Sequence, residues 1–566
     1  MKRAVQWILR RARRVTAPAT RGAEPLPLDW QPLLTTDAAL WRTARDAAER
    51  GPRVLIATAV GGLSALSLVE SVLAAALTLR GAKVEILLCD RAVPACLRAQ
   101  VDNISPERLA AGRIAETLCD GCDAMGEGLF QPLGLAVHRF SEFITDDDRR
   151  FAKQVAAQIG LADLAGWRLD GLAVGEHAYA GALRYFARGD IGAEPQGEAI
   201  ARRYLEGAIL SARVAQKLAR ERQYAVSVFN HGIYAPHGVF GEVFRAQQMR
   251  IVNWNVAYRK KSFIFSHGDS YHHTLMDEPT AEWENLPWSP EAEAAIDRYL
   301  ASRWKGTSDW IWFHERPEEE LGKIASQIGI DLSKPAIGML TNVMWDAQLH
   351  FRANAFPNLL AWVNATIGHF EKRPELQLVI RVHPAEMRGT LPSRQPLVDE
   401  IRKAWPALPR NVFVIPPESQ VSTYVVLMHC DAALIYGTKM GVELTSVGIP
   451  VIVGGEAWIR NKGLTLDARS AEEYLAHLAR LPFGKRLDPE TVTRAKKYAY
   501  HFFFRRMIPV GFMEPVKGWP PYRVAAASLG QFSREADRGL DVICDGILAG
   551  RPFAFPAESL PQSELG

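Results

Sequence analysis

The sequence predicts an α/β protein built from two Rossmann-like, doubly wound domains. Three observations point there. The chain has 566 residues, more than one ordinary core holds, and chains beyond roughly 250–300 residues split into domains. Short aliphatic runs alternate with helix-length stretches, first within 53–254 and again within 335–453. Such alternation argues for parallel strands joined by helical crossovers. Finally, 48% hydrophobic and 23% charged residues are ordinary globular values.

Taken in order, residues 1–30 form a basic tail. Lys2, Arg3, Arg10, Arg11, Arg13 and Arg14 cluster with Trp7, Ile8 and Leu9. A basic stretch with an apolar face suits an anionic membrane surface, the alternative being a solvated tail. It has no long apolar core and no small-residue cleavage site, so it does not read as a signal peptide. The expectation is a cytoplasmic protein, peripheral on the inner membrane face. The net charge of +4 is too mild for a nucleic-acid partner.

The first domain is expected over 31–290. Arg53-Val-Leu-Ile-Ala-Thr-Ala59 reads as a strand, Gly61-Gly62 as a turn and 63–79 as a helix, followed by a strand over 83–88. The helix is apolar enough to resemble a membrane span. However, it carries Glu70 and runs at once into Gly81 and a strand, so a buried helix fits better. Further strands are expected at 172–175, 225–229 and 251–254, with a long helix over 197–222. A helical linker rich in tryptophan (Trp304, Trp310, Trp312) spans 291–334.

The second domain is expected over 335–490, with strands at 335–340, 378–382, 412–415, 432–435 and 450–453. Residues 491–566 turn helical, with an aromatic run over 498–504.

The sharpest chemical signals lie in the second domain. The strand Leu378-Val-Ile-Arg-Val-His-Pro384 ends in His-Pro. Ligands of parallel sheets sit at the carboxyl ends of strands, so Arg381, His383 and Pro384 fall where an anion would bind. A strand-end histidine capping a loop is the alternative. Gly437 and Thr438 lie at a strand-to-helix turn, whose free N–H groups would face a diphosphate. Glu443, farther along that helix, could accept bonds from ribose hydroxyls. After the domain's first strand come Asn342, Trp345 and Asp346, expected to hold substrate or close the cleft. Trp345 would stack on a base or sugar, or pack between domains.

These segments, with Arg381-Val-His-Pro-Ala-Glu386, Tyr436-Gly-Thr-Lys-Met-Gly-Val-Glu443 and Gly455-Glu-Ala-Trp-Ile-Arg-Asn-Lys-Gly463, resemble the nucleotide-binding half of GT-B glycosyltransferases. More narrowly, they resemble capsule polysaccharide biosynthesis proteins, including Kdo-transferring and polysialic-type enzymes with an His-Pro motif. The likeness covers most of 335–550 and, less specifically, 225–280. It implies a GT-B-like fold, in which two domains face a cleft and C-terminal helices cross back. It implies a glycosyltransferase moving sugar from a CMP-, UDP- or GDP-linked donor to a capsular or other surface polysaccharide, or to a lipid-linked acceptor. It also implies phosphate and ribose roles for His383, Thr438 and Glu443, and a metal-independent reaction with no cofactor. A CDP-alditol phosphotransferase, a nucleotide-sugar epimerase of the same fold, and a non-catalytic assembly subunit are the competing readings.

In such an arrangement the first domain binds the acceptor and supplies a general base. Glu176 or His231 is the expected base, with Asp269 third. The cluster His267, Asp269, His272 and His273 could alternatively bind a metal. Of six cysteines, Cys89, Cys96, Cys119 and Cys122 lie close in sequence. The Cys119–Cys122 spacing makes a zinc site the minor alternative to small packing residues.

Overall fold

The computed structural model describes residues 26–306, 308–310, 317–389, 391–517 and 520–565. The basic tail therefore lies outside the described residues, apart from its last few positions. Among the described residues, no helix is long and apolar enough to cross a membrane.

Two sheets organise the chain. The first uses β1 (Arg53–Ala59), β2 (Lys83–Leu88), β3 (Ala136–Arg139), β4 (Val226–Asn230), β5 (Arg250–Val256) and β6 (Ser262–His267). Their order across the sheet is β3-β2-β1-β4-β5-β6. The second uses β7 (Ala336–Leu340), β8 (Gln377–Arg381), β9 (Val412–Ile415), β10 (Ala432–Ile435), β11 (Val451–Val453) and β12 (Leu466–Asp467). It repeats the same winding, β9-β8-β7-β10-β11-β12. Both are the doubly wound order, in which the strand order reverses at a switch point, between β1 and β4 and between β7 and β10. The expected fold class holds: two Rossmann-like units in the GT-B manner.

The second sheet is parallel throughout. The first is mixed, because β6 returns antiparallel to β5. The C-terminal region then crosses back: β13 (Ile508–Pro509) pairs antiparallel with β6, making the first sheet seven-stranded. A buried ionic knot holds this crossing. Glu278 receives Arg506 and His501 (2.9 Å to Nε2), and Lys462 Nζ donates to the carbonyls of Glu278 (2.6 Å) and Met276 (2.9 Å). The aromatic run supplies the apolar part, with Tyr498, Phe502, Phe503 and Phe504 all buried.

The apolar helix Ser64–Leu79 is enclosed rather than membrane-spanning. Burial pushes the Glu70 carboxyl up to about 7, and its Oε1 accepts from Trp254 Nε1 at 2.9 Å. A largely neutral, hydrogen-bonded acid is the form a core tolerates.

One strand assignment fails. Residues 172–175 are no strand: Asp170 (φ 52°) and Gly171 (φ 85°) form a tight turn closed by Leu169 and Leu172, and the helix Val174–Phe186 follows. A four-residue apolar run does not separate a strand from the first turn of a buried helix. The strands β3 and β6 were not anticipated. The linker is helical over Pro290–Trp304 and Leu321–Ile328. Ser289 starts the first of these by accepting from Ala292 N, and proline stands in its first turn.

Candidate functional site

The second domain carries a cavity of about 950 Å³, counted with its solvent-open mouth. It sits at the switch point. Leu340 and Thr341 line it from the end of β7, His383 and Pro384 from the end of β8, and Thr438, Lys439 and Met440 from the loop after β10. Its opposite wall comes from the linker: Arg303, Trp304, Gly306, Asp309 and Pro317. Tyr424 stacks on Trp304, with centroids 5.2 Å apart and planes at 21°. The mixed aromatic and cationic lining suits an anion that carries a planar ring.

His383 is fixed by its neighbours. Its N–H donates to Thr341 Oγ1 (3.2 Å), and its Nδ1 accepts from Ala385 N (3.0 Å). A ring whose Nδ1 is an acceptor carries its proton on Nε2. Burial, with Lys439 and Arg381 nearby, lowers the pKa to about 4. His383 is thus a neutral donor near pH 7, not an imidazolium.

The positive charge comes from Lys439, which the sequence reading passed over. Burial first, then Arg303, brings its ammonium down to about 8. It lies 4.6 Å over the Tyr258 ring. Thr438 bends the turn by accepting from Met440 N through Oγ1 (3.3 Å). The helix that follows, Met440–Ser446, has only seven residues, so its dipole adds less than the neighbouring cation.

Three expected donor residues have structural partners instead. Glu443 is 3% exposed and does not line the cavity. Its Oε2 accepts from Tyr424 OH (2.8 Å) and its Oε1 lies 3.1 Å from Arg303 NH2. It anchors the cavity wall from beneath through Tyr424 and Arg303. Asn342 spends both polar atoms on the peptide of Gly437: Nδ2 donates to its carbonyl (2.6 Å) and Oδ1 accepts from its N–H (3.1 Å). These bonds lock the β7 loop to the β10 loop. Arg381 lines the cavity, yet it donates to Pro416 O (2.6 Å), Ser419 O (3.3 Å) and Thr423 Oγ1 (3.1 Å), bracing the loop after β9.

A second constellation lies where the two domains meet. Asp346, after β7, reaches the first domain: its Oδ1 accepts from Tyr234 OH (2.5 Å) and Arg184 NH1 (3.2 Å). Its side chain is 50% exposed. Enclosure raises its carboxyl pKa, but Arg184, Tyr234, His231 and His272 outweigh that and hold it below the ordinary value. Trp345 is buried, donates to Ser393 Oγ (3.1 Å) and underlies Arg184, so it packs rather than presents a face.

The expected bases divide. His231 ends β4 with a left-handed φ of 61° and stacks on Tyr234 at 5.3 Å. Burial, then Arg184, brings its pKa to about 4. His272 stands 6.3 Å from His231, between centroids. Asp269 is occupied: Oδ2 meets His273 Nδ1 (2.9 Å) and Oδ1 accepts from Ser270 N (2.7 Å). Glu176 sits in the first turn of Val174–Phe186, not beyond a strand.

Asp269, His273 and His350 are the one group of three such residues, among those described, whose ligand atoms lie within 4.8 Å of one another. The two imidazoles stack at 4.0 Å and 18°. Imidazole binds metal in its ring plane, so stacked rings do not converge on one ion. His273 bonds Asp269 and His350 O (3.0 Å), while His350 Nε2 meets Ser270 Oγ (2.7 Å). The group is a hydrogen-bonded seam between the domains. His267 lies apart, stacked on Phe553.

The four cysteines do meet. Cys89, Cys96, Cys119 and Cys122 line a small apolar cavity of about 20 Å³ beside the ends of β1 and β2. Burial pushes all four thiols up. No three of their sulfurs lie within 4.8 Å of one another, whereas tetrahedral Zn–S bonds of about 2.3 Å require roughly 4 Å. Their arrangement is that of packing residues.

No family model matches the chain, and no curated protein does. Among solved structures, Thermosulfurimonas dismutans KpsC, beta Kdo 2,4 transferase, is 14% identical, covering 48% of this chain and 79% of its own, with a TM-score of 0.32. Spinosyn rhamnosyltransferase SpnG is 12% identical over 79% and 95%, TM-score 0.24. The UDP-GlcNAc 2-epimerase of Neisseria meningitidis is 8% identical over 79% and 95%, TM-score 0.24. Likeness at this level does not assign an activity.

Proposed function

We propose that the protein is a glycosyltransferase that moves a sugar from a nucleotide-sugar donor to a hydroxyl of a capsular or other surface polysaccharide, free or lipid-linked. One observation carries the reading. A cavity at the second sheet's switch point brings together a neutral histidine donor, a half-buried ammonium and a stacked aromatic pair: His383, Lys439, and Trp304 on Tyr424. The ammonium and the histidine N–H would bear the phosphate charge of a leaving nucleotide, which permits a metal-independent reaction. The aromatic pair offers a stacking face for a base or sugar. CMP, UDP and GDP donors fit this description equally. The ordered motifs around His383-Pro384 and Thr438 support the capsule-type acceptor. A basic tail at the inner membrane face would keep the enzyme near a lipid-linked chain.

The test is a thermal-shift screen of the full chain against CMP, CDP, UDP and GDP, with and without magnesium. A ligand bound only by the folded state raises the melting temperature. We expect one nucleotide to stabilise the protein without magnesium, and His383→Ala to reduce that shift at unchanged intrinsic stability. No shift with any nucleotide, or an unchanged shift in the folded variant, would remove the donor-site assignment.

A further inference from the structure

Asp309, the one carboxylate among the residues lining the donor cavity, is bonded to Tyr299 OH (2.9 Å) and Arg303, and the three expected bases are weak candidates. Asp269 is bonded to His273 and Ser270. Glu176 lies in a helix turn, and His231, half-buried, is held neutral near pH 7 by a pKa of about 4. We propose that Asp346 is the general base of the transfer reaction, a proposal that rests on the glycosyltransferase reading above. It differs from the expectation that Asp346 binds donor.

The geometry is specific. Asp346 follows β7, at the switch point of the second sheet, yet its carboxylate is held by the first domain. Ala347 N donates to Tyr234 OH (3.0 Å), so the phenol's single proton points to Asp346 Oδ1 at 2.5 Å. Arg184 donates to the same oxygen at 3.2 Å, and its guanidinium lies over the Tyr234 ring at 4.8 Å. Two donors therefore fix one oxygen, while the side chain remains half-exposed. An aromatic wall runs from there toward the donor cavity. His231 stacks on Tyr234, His272 follows, then Trp458 (5.6 Å from His272), Tyr258 (5.7 Å from Trp458) and Lys439 above Tyr258. The charge of Asp346 acts on His383 at one end of this wall and on His231 and His272 at the other. Other nearby carboxylates have fixed duties: Glu443 holds Arg303 and Tyr424, and Glu456 accepts from Ala353 N.

In the step itself, the acceptor oxygen attacks the anomeric carbon and a carbon–oxygen bond forms. The bond from that carbon to the nucleotide phosphate oxygen breaks, and the phosphate keeps the electron pair. The hydroxyl proton passes to Asp346. With water as the acceptor the same balance describes donor hydrolysis.

The experiment uses the full chain and two readouts. Nucleotide affinity is measured by calorimetry. Turnover is nucleotide release from CMP-, UDP- and GDP-linked sugars, with water as acceptor. We expect Asp346→Asn to bind nucleotide within threefold of wild type and to release it at least 100-fold more slowly. Tyr234→Phe removes a donor to the carboxylate. It should move the acidic limb of kcat/KM to higher pH, with Arg184, His231 and His272 still facing the group, a shift that a packing role for Tyr234 would not produce. Release within threefold of wild type in Asp346→Asn overturns the proposal, as does a matching loss of nucleotide affinity, which would make Asp346 a donor ligand. A wild type that binds nucleotide but releases it from no donor refutes the transferase reading itself, and Asp346 as base with it.

Discussion

The two sides of the cleft are built differently. On the donor side, His383, Thr438 and Lys439 come from loops directly after β8 and β10, each within three or four residues of a strand end. On the opposite side, Asp346 is completed by Tyr234 and Arg184, which are 112 and 162 residues away in sequence. A site written on strand ends leaves a local pattern, because a buried apolar run followed by a polar pair is visible in a short window. A site assembled across domains leaves none. The comparison also separates two ways of using charge. Lys439 has no ion-pair partner among the described residues within 4.0 Å, whereas Arg303, in the same wall, is tied to Asp309 and Glu443. An unpaired, half-buried cation in a cavity wall is poised for an anion, and a paired, buried one is scaffold.

The largest test of that distinction is Glu443→Ala. It strips one carboxylate from Arg303, a side chain 3% exposed. Breaking one partner of a buried pair typically costs about 3 kcal/mol or more. We expect a loss near that size in denaturant unfolding, softened because Asp309 remains. Weaker nucleotide binding should appear only as a consequence. A stability loss under about 1 kcal/mol together with a tenfold loss of affinity would return Glu443 to the ribose role.

Lys439→Met probes the other half of the comparison. Charge-assisted bonds contribute about 1.5–3 kcal/mol, so calorimetry should show nucleotide affinity falling by roughly 10- to 100-fold. Unfolding free energy should stay level or rise, since a half-buried charge without a bonded carboxylate is removed. Reduced stability with unchanged affinity would make Lys439 scaffold and leave the cavity without its cation.

Much of this fold was legible in the sequence. All five anticipated strands of the second domain form, and the helix Ser64–Leu79 is enclosed as Glu70 implied. What escaped did so for physical reasons. The run 172–175 is too short to carry a period. The strand β6 reverses direction, and the winding rule for parallel crossovers does not cover it. The site was half legible. His383, Pro384 and Thr438 line the cavity, while Glu443, Asn342 and Trp345 turned out to hold the walls. A polar residue at a strand end looks the same in sequence whether it faces ligand or a neighbouring loop. Arg303 and Trp304 were missed because a linker helix carries no strand-end signal. Lys439 escaped because a lysine beside a helix start looks the same in sequence whether it lines a cavity or lies in solvent.

The smallest effect is a pH dependence, and it discriminates between the two basic groups of the donor side. Burial holds the free Lys439 ammonium at about 8, and a bound phosphate would raise that value. The sign follows from linkage. Binding is favoured by the protonated form, so affinity is level below pH 8 and falls above it, by at most about tenfold per pH unit. His383, held at about 4, stays neutral across this range and contributes no slope. Calorimetric titration of the best-binding nucleotide between pH 7 and 9.5 should therefore be flat, then fall, and Lys439→Met should remove the fall. If affinity instead declines between pH 5.5 and 7, after correction for the nucleotide's own phosphate ionisation near 6, an imidazolium is bearing the charge. His383 would then displace Lys439 as the cation of the site.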